Sequence, residues 1–389
     1  MAYITMHFAP TARGTGDGST YDNAAELFPS GNWNSVLTSN NYATSGIVGL
    51  VQNTAQYTLN QQGTAAVFSG GAPTNLTYPL VLKGCDSFGN ILNPVDYGWK
   101  CASGDLDESN FVDLDYTLTT GSLSNATNIH MRCFKISATV TSATLFNLFH
   151  GLLDWCKLYV TSTNTLGIGV SYNTTTIGIV NSQINMIGSS FARILTASSG
   201  GLVSNIRVKG DPSASSGTRY GVAVSSSSVV TAINGPVFIC DCAGIGLLNY
   251  STNLSAGIAA SRMTIVNCGT GVATLNTSSG GGKLVITDSV ITGCTSGLNQ
   301  PYGKYDLRNV VLRNTTDIVT TSENDISEPF TFITSETDAD LYVDSSNGDY
   351  RIKSTSAHWG KNRGSQDELV LGDVKTGISI GRQLAKVTG

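Results

Sequence analysis

A short segment that recurs at a fixed spacing constrains the fold of this chain more than any other feature. Three segments align without gaps, and each carries an Ile three residues before a Cys: ICDCAGI (239–245), IVNCGTGV (265–272) and ITGCTSGL (291–298). Their aligned cysteines stand at positions 242, 268 and 294, two intervals of 26 residues. Self-similarity at a period of 20–50 residues is the signature of solenoid and other repeat folds, so the sequence predicts stacked repeating units.

Weaker copies extend the repeat in both directions. The segment VLRNTTDI (311–318) places Asn314 at the cysteine position, 20 residues after Cys294. Upstream, Cys133 and Cys156 lie 23 residues apart in similar apolar segments. The spacing varies while the short apolar segment recurs, as expected when the turns differ in length and the strands do not.

The repeated unit is typical of a β-strand rather than a helix. A stretch such as KLVITDSVI (283–291) alternates apolar and polar residues and is bounded by Gly, Asn or Ser, which indicates strands of about three to five residues. The 43 glycines and 13% charged residues also favour strands and tight turns. Such a short strand buries its apolar face only when the next coil stacks on it about 4.8 Å away.

We therefore predict an all-β chain folded as a right-handed parallel β-helix with coils of about 20–26 residues. A leucine-rich horseshoe has repeats of similar length, but its Leu-x-x-Leu-x-Leu pattern and helical half are missing. The stacked rows predict an internal structural ladder made of Ile239, Cys242, Ile265, Cys268, Ile291 and Cys294.

The cysteines are interpreted as buried thiols. Regular spacing across three coils favours a structural role over a redox or catalytic one. A zinc site is the alternative, but Cys240-Asp-Cys242 lacks a two-residue spacer and has no second Cys or His pair nearby. We expect no metal and no cofactor.

Charge and hydropathy restrict the partners. The net charge is −5 and the basic residues are scattered singly, so no basic stripe that would bind nucleic acid is present. No apolar run approaches a membrane span, and the first ten residues, MAYITMHFAP, lack the basic start and apolar stretch of a signal peptide. The sequence predicts assembly in a cytoplasm, without nucleic-acid or membrane partners.

Both ends resemble those of a known group of proteins. The segment GTGDGSTYDNAA (14–25) resembles the opening motif of bacterial and tailed-phage β-helix proteins, and YTL (57–59) and YPLVLKG (78–84) resemble their first strands. GDYRIKSTSA (348–357) is similar to their closing segment, although His358 and Trp359 stand where the group has small or apolar residues. The resemblance implies a rod covered at both ends, which would protect its open strand edges.

Four regions follow from these patterns. Residues 1–45 form an N-terminal attachment and cap segment, and residues 46–120 form the first irregular coils, with an inserted loop at 85–115. Residues 121–319 form the regular coils and residues 320–389 form a C-terminal cap.

Enzymatic motifs are sparse. A polygalacturonase-like hydrolase, by resemblance, needs Asn-Thr-Asp, Asp-Asp, Gly-His-Gly and Arg-Ile-Lys motifs, and only Arg351-Ile-Lys353 is present. A lyase needs a calcium site beside a basic residue. The acidic stretches are 105–115 and 336–344, and the alternation in FVDLDY places Asp113 and Asp115 on one strand face. We predict no catalytic residues; these two aspartates are the candidates if the chain is an enzyme, but a solvated loop running into an exposed strand face is the favoured explanation for them.

The resemblance implies a structural protein of a tailed-phage virion. A capsid-decorating (cement) protein is favoured over a tailspike, because the chain has little room for a head-binding domain and a trimerising tail besides its coils. Expected partners are further copies of the chain in a homotrimer and the major capsid protein or another virion protein, contacted through residues 1–13. The alternative is a tailspike-like protein that binds or depolymerises a host glycan.

Overall fold

The computed structural model describes most of the chain, and the statements below concern these residues. They are 3–27, 46–61, 80–95, 97–118, 129–140, 144–148, 151–162, 167–172, 178–187, 191–197, 203–213, 220–224, 230–249, 257–274, 283–299, 304–319, 325–361 and 363–365.

The described residues contain 26 strands, one short helix and one 3-10 turn. In chain order they are β1 (Tyr3–Ala9), β2 (Ala25–Glu26), β3 (Gly46–Gln52), β4 (Tyr57–Gln61), β5 (Leu80–Cys85), β6 (Val112–Leu118), β7 (Ile129–Val140), β8 (Thr144–Leu148), β9 (Leu152–Ser162), β10 (Gly167–Tyr172), β11 (Ile179–Ile187), β12 (Phe191–Ala197), β13 (Val203–Lys209), β14 (Tyr220–Val224), β15 (Val230–Cys240), β16 (Ile245–Asn249), β17 (Gly257–Val266), β18 (Thr270–Thr274), β19 (Lys283–Thr287), β20 (Val290–Thr292), β21 (Ser296–Asn299), β22 (Lys304–Arg313), β23 (Thr316–Val319), β24 (Asp325–Ile333), α1 (Asp338–Leu341), β25 (Tyr342–Asp344), the 3-10 turn Ser345–Asn347 and β26 (Asp349–Ile352).

The chain is a right-handed parallel β-helix, as predicted. Sixteen strands form one long sheet, whose main path runs from β2 and β1 through β3, β5 and β7 to β19 and β22, and eight strands from β8 to β23 form a second sheet. The strand pairs within both sheets are parallel, and each strand pairs with its counterpart in the next coil. Side chains of both sheets point into one continuous apolar core.

The isoleucine repeat lies in register in this core. Ile239 pairs with Ile265, and Ile265 pairs with Ile291. The cysteine row lies two residues beyond the same strands, and the Cys268 thiol hydrogen-bonds with both the Cys242 and the Cys294 thiols. The hydrogen bond with Cys242 and burial hold the pKa of Cys268 well above its usual range, so this thiol stays protonated and unreactive. All eight cysteines are buried and free.

Each coil turns at residues with left-handed backbone conformations. A first bend, within the long strands or, for Asp288, between β19 and β20, is formed by residues with φ between 48° and 61°: Cys133, Trp155, Asn181, Asn205, Arg262, Asp288 and Asn309. A second bend follows β15, β17 and β20, at Asp241, Asn267 and Gly293. Non-glycine residues rarely adopt positive φ, and Asn and Asp adopt it most readily, which explains their frequency at both bends.

The first bend corrects one predicted alignment. Phe134, not Cys133, pairs with Cys156, and Cys133 lies at the bend opposite Trp155. The 23-residue spacing of the two cysteines therefore does not mark equivalent positions. The apolar character of both segments misled the alignment, because inward-facing positions flank the bend on each side.

The fourth copy of the repeat is also shifted. Leu312, not Val311, pairs with Ile291, while Ile318 pairs with Leu298 as aligned. The last copy is thus one residue shorter at its second bend. Asn314 takes the cysteine position there, accepting a hydrogen bond from the Cys294 amide (3.0 Å) and donating one to the Ile291 carbonyl (2.9 Å).

The N-terminal residues belong to the rod itself. β1 pairs along its length with β3 and at its end with β2, and Met6, Phe8 and Ala9 are buried in the core. Residues 1–13, predicted as an attachment segment, thus contribute the first described strand, because alternate apolar side chains make a core strand. Residues 28–45 of the predicted N-terminal cap lie outside the described residues.

The sequence predicts an inserted loop at residues 85–115. In the structure the loop contains fewer residues but extends further along the rod. Cys85 ends β5 and Val112 begins β6, so the loop spans 86–111 and joins two strands that stack together on β7. It does not stay on the first coils: Arg207 on β13 donates a hydrogen bond to the Cys101 carbonyl (2.9 Å). Its buried residues Trp99 and Leu106 anchor it to the rod.

The coils also continue beyond residue 319, where the C-terminal cap was predicted to begin. β24 pairs in parallel with β22, so the cap starts after Ile333. The segment 334–365 contains α1 and the antiparallel pair β25–β26, and it packs Leu341, Tyr342 and Ile352 on Val290 and Val311 of the rod. Residues 366–389 lie outside the described residues.

In the part of the chain that the structure describes, none of the helices has the length and apolar character needed to cross a membrane.

Replacing Ile265 by Ala tests the isoleucine stack. Ile265 is 1% exposed and lies between Ile239 and Ile291, so we expect the substitution to lower the free energy of unfolding by about 2–5 kcal/mol. Urea denaturation followed by circular dichroism measures it. Val285→Ala, on the half-buried outer face of β19, is the matched control and should cost less than about 1 kcal/mol. Equal effects would contradict the stack.

The end of the C-terminal segment is held by His358, one of the two residues that depart from the resembled closing segment. His358 and Arg363 are both buried, and an Arg363 Nη1 contacts the His358 Nδ1. Arg363 Nε also donates to Asn309 Oδ1 of the rod (2.6 Å). Burial and the neighbouring guanidinium lower the pKa of His358 below 6.5, although Glu336 opposes this. The contact therefore requires a neutral imidazole.

This arrangement predicts a pH-dependent stability. Below about pH 6.5 the unfolded chain binds a proton at His358 while the folded chain does not, so stability falls as the pH decreases toward the lowered folded pKa. Between pH 7.5 and 5.5 the loss should reach up to about 1.4 kcal/mol. Urea titrations of the wild type and His358→Gln measure it: the variant should lack this component, and an identical pH dependence would refute the assignment.

Candidate functional site

One outward-facing row of side chains defines the surface on which a site could be built. After the first bend, the same position of successive coils is occupied, in register, by Asp113, Lys135, Lys157, Gln183, Arg207, Phe238, Thr264, Val290 and Val311. We call this the outer row. In a parallel β-helix such a row would normally face solvent, so its environment decides whether the sheet offers an open groove.

Most of the outer row is buried by two other segments of the chain. The seven residues from Lys157 onward are less than 9% exposed. The inserted loop covers the first of them: the Leu106 amide donates to Gln183 Oε1 (2.7 Å), and Lys157 Nζ donates to the Leu106 carbonyl (2.7 Å). Since buried polar groups need partners, these bonds explain how Lys157 and Gln183 are tolerated beneath the loop.

The C-terminal segment covers the rest. The Tyr350 ring lies 5.2 Å from the Phe238 ring, and the Ser365 amide donates to Thr264 Oγ1 (2.8 Å). The two covers meet, because the Tyr350 amide donates to the Ala102 carbonyl (2.8 Å). The outer row is therefore closed from Lys157 to Val311.

At the other end, Asp113 and Lys135 remain half-exposed and lie in a cleft, here called the open cleft. It consists of two depressions of about 490 and 420 Å³ that share Glu108 and Lys135 in their walls. The first also includes Asp107 and Asp113, and the second Asp115, Tyr159 and residues of β7 and β9. The cleft is the place where the chain brings carboxylates, lysines and an aromatic ring together.

The predicted aspartates lie in this cleft. Asp113 and Asp115 share the outer face of β6, on either side of the buried Leu114. Two residues apart on a strand, they are separated by about 7 Å at the backbone. The Asp113 carboxylate forms an ion pair with Lys135 (3.1 Å), whereas within the described residues the Asp115 carboxylate has no hydrogen bond or ion pair.

Glu108 is the most firmly held carboxylate of the cleft. It accepts hydrogen bonds from Lys157 Nζ (2.6 Å) and the Tyr159 hydroxyl (2.7 Å). Burial alone would raise the pKa of Glu108, but these two bonds outweigh it and hold the pKa below its usual range. Burial, with the nearby Glu108 carboxylate, raises the pKa of Tyr159 well above 10. Glu108 is therefore ionised, and the Tyr159 hydroxyl stays protonated.

These ionisation states limit the chemistry available. A glycoside hydrolase needs a carboxylic acid whose raised pKa lets it donate a proton at neutral pH. Glu108 is ionised, and Asp113 is neutralised by an ammonium group. Burial raises the pKa of Asp154, but that residue lies before the first bend, bonded to Asn181 (3.0 Å), and outside the open cleft. Lys157 Nζ is engaged in hydrogen bonds to Glu108 and to the Leu106 carbonyl.

The second predicted acidic stretch, 336–344, serves local structure. Glu336 accepts hydrogen bonds from Ser356 and the Ala357 amide, and Asp338 pairs with Arg313. Asp340 caps α1 and Asp344 caps the 3-10 turn. Among the described residues, no three His, Cys, Asp or Glu side chains come together as metal ligands. Arg351-Ile-Lys353 lies at β26 on the C-terminal cover, where Arg351 pairs with Asp349.

Sequence reasoning missed Lys135, Lys157 and Tyr159. They stand among the apolar residues of β7 and β9, and no local motif distinguishes them. Only the register of β6, β7 and β9 shows that the two lysines stand beside Asp113 in one row.

Comparisons with known proteins add a fold-level likeness. No family model matches the chain, and no curated protein matches it. Among solved structures, a pectate lyase (Pel9A) is similar over 92% of this chain and 91% of its own, with 12% identity and a TM-score of 0.42. At this level of similarity, neither its activity nor its residues transfer to this chain.

Replacing Lys157 by Met tests how far the cleft is built around a buried cation. The substitution would leave Glu108 without its ammonium partner and the Leu106 carbonyl without its donor, so we expect the free energy of unfolding to fall by about 2–3 kcal/mol. Lys135→Met is the matched control, because its ion pair with Asp113 is half-exposed and should contribute less than about 1 kcal/mol. Urea denaturation at neutral pH compares them. A smaller loss for Lys157→Met than for the control would contradict the assignment.

Proposed function

We propose that this chain is a structural protein of a tailed-phage virion that decorates and stabilises the capsid as a cement protein. The observation that carries the proposal is the covered outer row. From Lys157 to Val311 the chain places its own segments over the sheet. A protein that degrades a polymer needs an open face along which successive sugar units can lie, whereas a structural rod gains stability when this face is buried.

The two covers join parts of the chain that are distant in sequence. Arg207 bonds both the Cys101 carbonyl of the inserted loop (2.9 Å) and the Gly348 carbonyl of the C-terminal segment (3.3 Å). Local opening of a coil must therefore break contacts with at least one cover. High resistance to local unfolding is what a capsid-stabilising protein requires.

The proposed partners are the major capsid protein and two further copies of the chain in a homotrimer. Contact with the capsid is placed at the N-terminal end, within residues 1–13. Since Met6 and Phe8 are core residues of β1, the contact must use exposed positions of this stretch, such as Tyr3, Thr5 and Thr11.

Capsids that lack this protein provide the test. Purified full-length chain should sediment with such capsids and raise the temperature at which they release DNA. Tyr3→Glu combined with Thr5→Lys should weaken this binding while leaving the fold intact. Thr295→Lys, at an exposed position on a distant coil, is the matched control. Absence of capsid binding by the wild type, together with binding to tails, would refute the cement role.

A second candidate function, binding or cleavage of a host glycan, has one observation in its favour. Asp113 and Asp115 lie about 7 Å apart at the backbone on one face of β6, an arrangement that allows the paired carboxylates that glycosidases use. The four carboxylates and one lysine that line the open cleft make it acidic overall, which disfavours a polyanionic uronate substrate.

Incubation of the purified chain with host surface polysaccharides distinguishes the two candidates. Under the cement proposal, no new reducing ends and no unsaturated products should form. Cleavage by the wild type that is abolished in Asp113→Asn/Asp115→Asn, but retained in Asp107→Asn, would establish the glycan candidate instead.

A further inference from the structure

The first part of the inserted loop is a rigid hairpin that presents apolar side chains to solvent. Cys85 and Ile91 form an antiparallel bridge, and the Asp86 carboxylate accepts hydrogen bonds from the Phe88 amide (2.8 Å) and from the amide and side chain of Asn90 (2.9 Å each). Gly89 closes the turn with φ 84°. These bonds lower the pKa of Asp86, so its carboxylate is ionised and holds the turn at neutral pH.

The hairpin and the residues after it carry most of the exposed apolar side chains. Seven large hydrophobic residues are exposed in the described chain, and four of them lie between residues 88 and 97. Their exposed fractions are 76% for Phe88, 45% for Ile91, 62% for Val95 and 59% for Tyr97. We call residues 86–95 and 97 the apolar loop. The other three, Tyr3, Ile187 and Val343, are each on a different element.

Tyr97 and Leu92 anchor the apolar loop to the rod. Tyr97 accepts a hydrogen bond at its hydroxyl from Arg132 Nη2 (2.6 Å), and its ring lies 5.6 Å from that of Trp155. Leu92 anchors the middle of the loop, because it is buried and its amide donates to the Gly84 carbonyl (2.8 Å). A preorganised apolar surface loses little conformational entropy on binding, which is the property of an interface.

The exposed area and the composition of the apolar loop indicate which molecule would cover it. The four side chains, distributed along the apolar loop, together expose on the order of 400 Å². A standard interface takes about 800 Å² from each partner, so these side chains supply enough apolar area for a large part of one. None of the four side chains is charged, and interfaces between copies of one chain are the more apolar class.

We propose that the apolar loop is the surface through which copies of this chain associate, with Phe88 and Val95 buried against a second copy. The inference deepens the self-association included in the proposed function and rests on it. The apolar loop lies close to β1, since a Cβ added at Gly89 would be 3.8 Å from the His7 ring. Association would therefore bring together the same ends of neighbouring rods, as a closed symmetric assembly requires.

The test compares the self-association of full-length variants by analytical ultracentrifugation over a range of concentrations. The wild type should form a discrete oligomer. Phe88→Glu/Val95→Glu should weaken its association about 30-fold or more, because buried aromatic anchors dominate such interfaces. Ile187→Glu/Val343→Glu replaces two exposed apolar side chains on other elements and should associate as the wild type does. Circular dichroism melting curves verify that the variants are folded.

A wild type that stays monomeric, or a Phe88→Glu/Val95→Glu variant that associates like the wild type, would overturn the proposal. The capsid-binding experiment separates this failure from that of the cement role. A monomeric wild type that still binds and stabilises capsids removes only the apolar-loop proposal. A wild type that associates through the apolar loop without binding capsids removes only the cement role.

Discussion

Parallel hydrogen bonding between successive coils is the interaction on which the rest of this structure depends. It places each residue directly on its counterpart in the next coil, so the whole cross-section must repeat along the rod. Ile239, Ile265 and Ile291 satisfy this requirement in the core. The bends must repeat too, and Asn205 shows how: its side chain donates to Asn181 Oδ1 (3.0 Å) and accepts from the Cys101 amide (2.9 Å). The strain of a positive φ at these bends is thus offset by hydrogen bonds between the bend residues of successive coils and with the inserted loop.

Stacking also aligns the outward-facing side chains of successive coils. The segments that cover this row must therefore suit its chemistry. Lys157, Gln183 and Arg207 form a polar stretch in the middle of the outer row, and an apolar stretch follows from Phe238. The inserted loop provides backbone carbonyls and amides for the polar stretch, while the C-terminal segment places Tyr350 and Tyr342 over the apolar one. The Arg207 guanidinium lies at the boundary, 4.3 Å above the Phe238 ring. Each cover matches the chemistry of the sheet beneath it.

This matching bears on function. Where the cover ends, Asp113 and Lys135 stay half-exposed, and the open cleft is what remains of a face that would otherwise run the length of the rod. The partners of Glu108 show that the cleft wall is itself part of the cover, since Lys157 bonds both Glu108 and the Leu106 carbonyl. The same loop exposes Phe88 and Val95 at its other end. One insertion therefore closes the sheet, shapes the cleft and carries the apolar loop.

Sequence reasoning reached the features that short-range patterns encode. The alternation in FVDLDY placed Asp113 and Asp115 on one face of β6, and the 26-residue spacing placed three isoleucines in one stack. Sequence reasoning failed where two segments have similar compositions but different backbone conformations. Cys133 and Cys156 both lie in apolar strands, yet only Cys133 adopts a positive φ. The fourth copy is one residue shorter at its second bend, and the alignment of apolar residues does not reveal this difference.

The sequence by itself determined the β-helix, because each strand's side-chain alternation and each repeat's length are local properties that survive in any context. Tertiary structure alone decided the course of the inserted loop, whose Leu106 and Cys101 contact Gln183 and Asn205 more than 70 residues away. It also decided that residues 3–9, within the predicted attachment segment, form a core strand and that Lys157 is buried. Such contacts depend on which surfaces are still uncovered once the coils have stacked, and no single stretch of sequence carries that information.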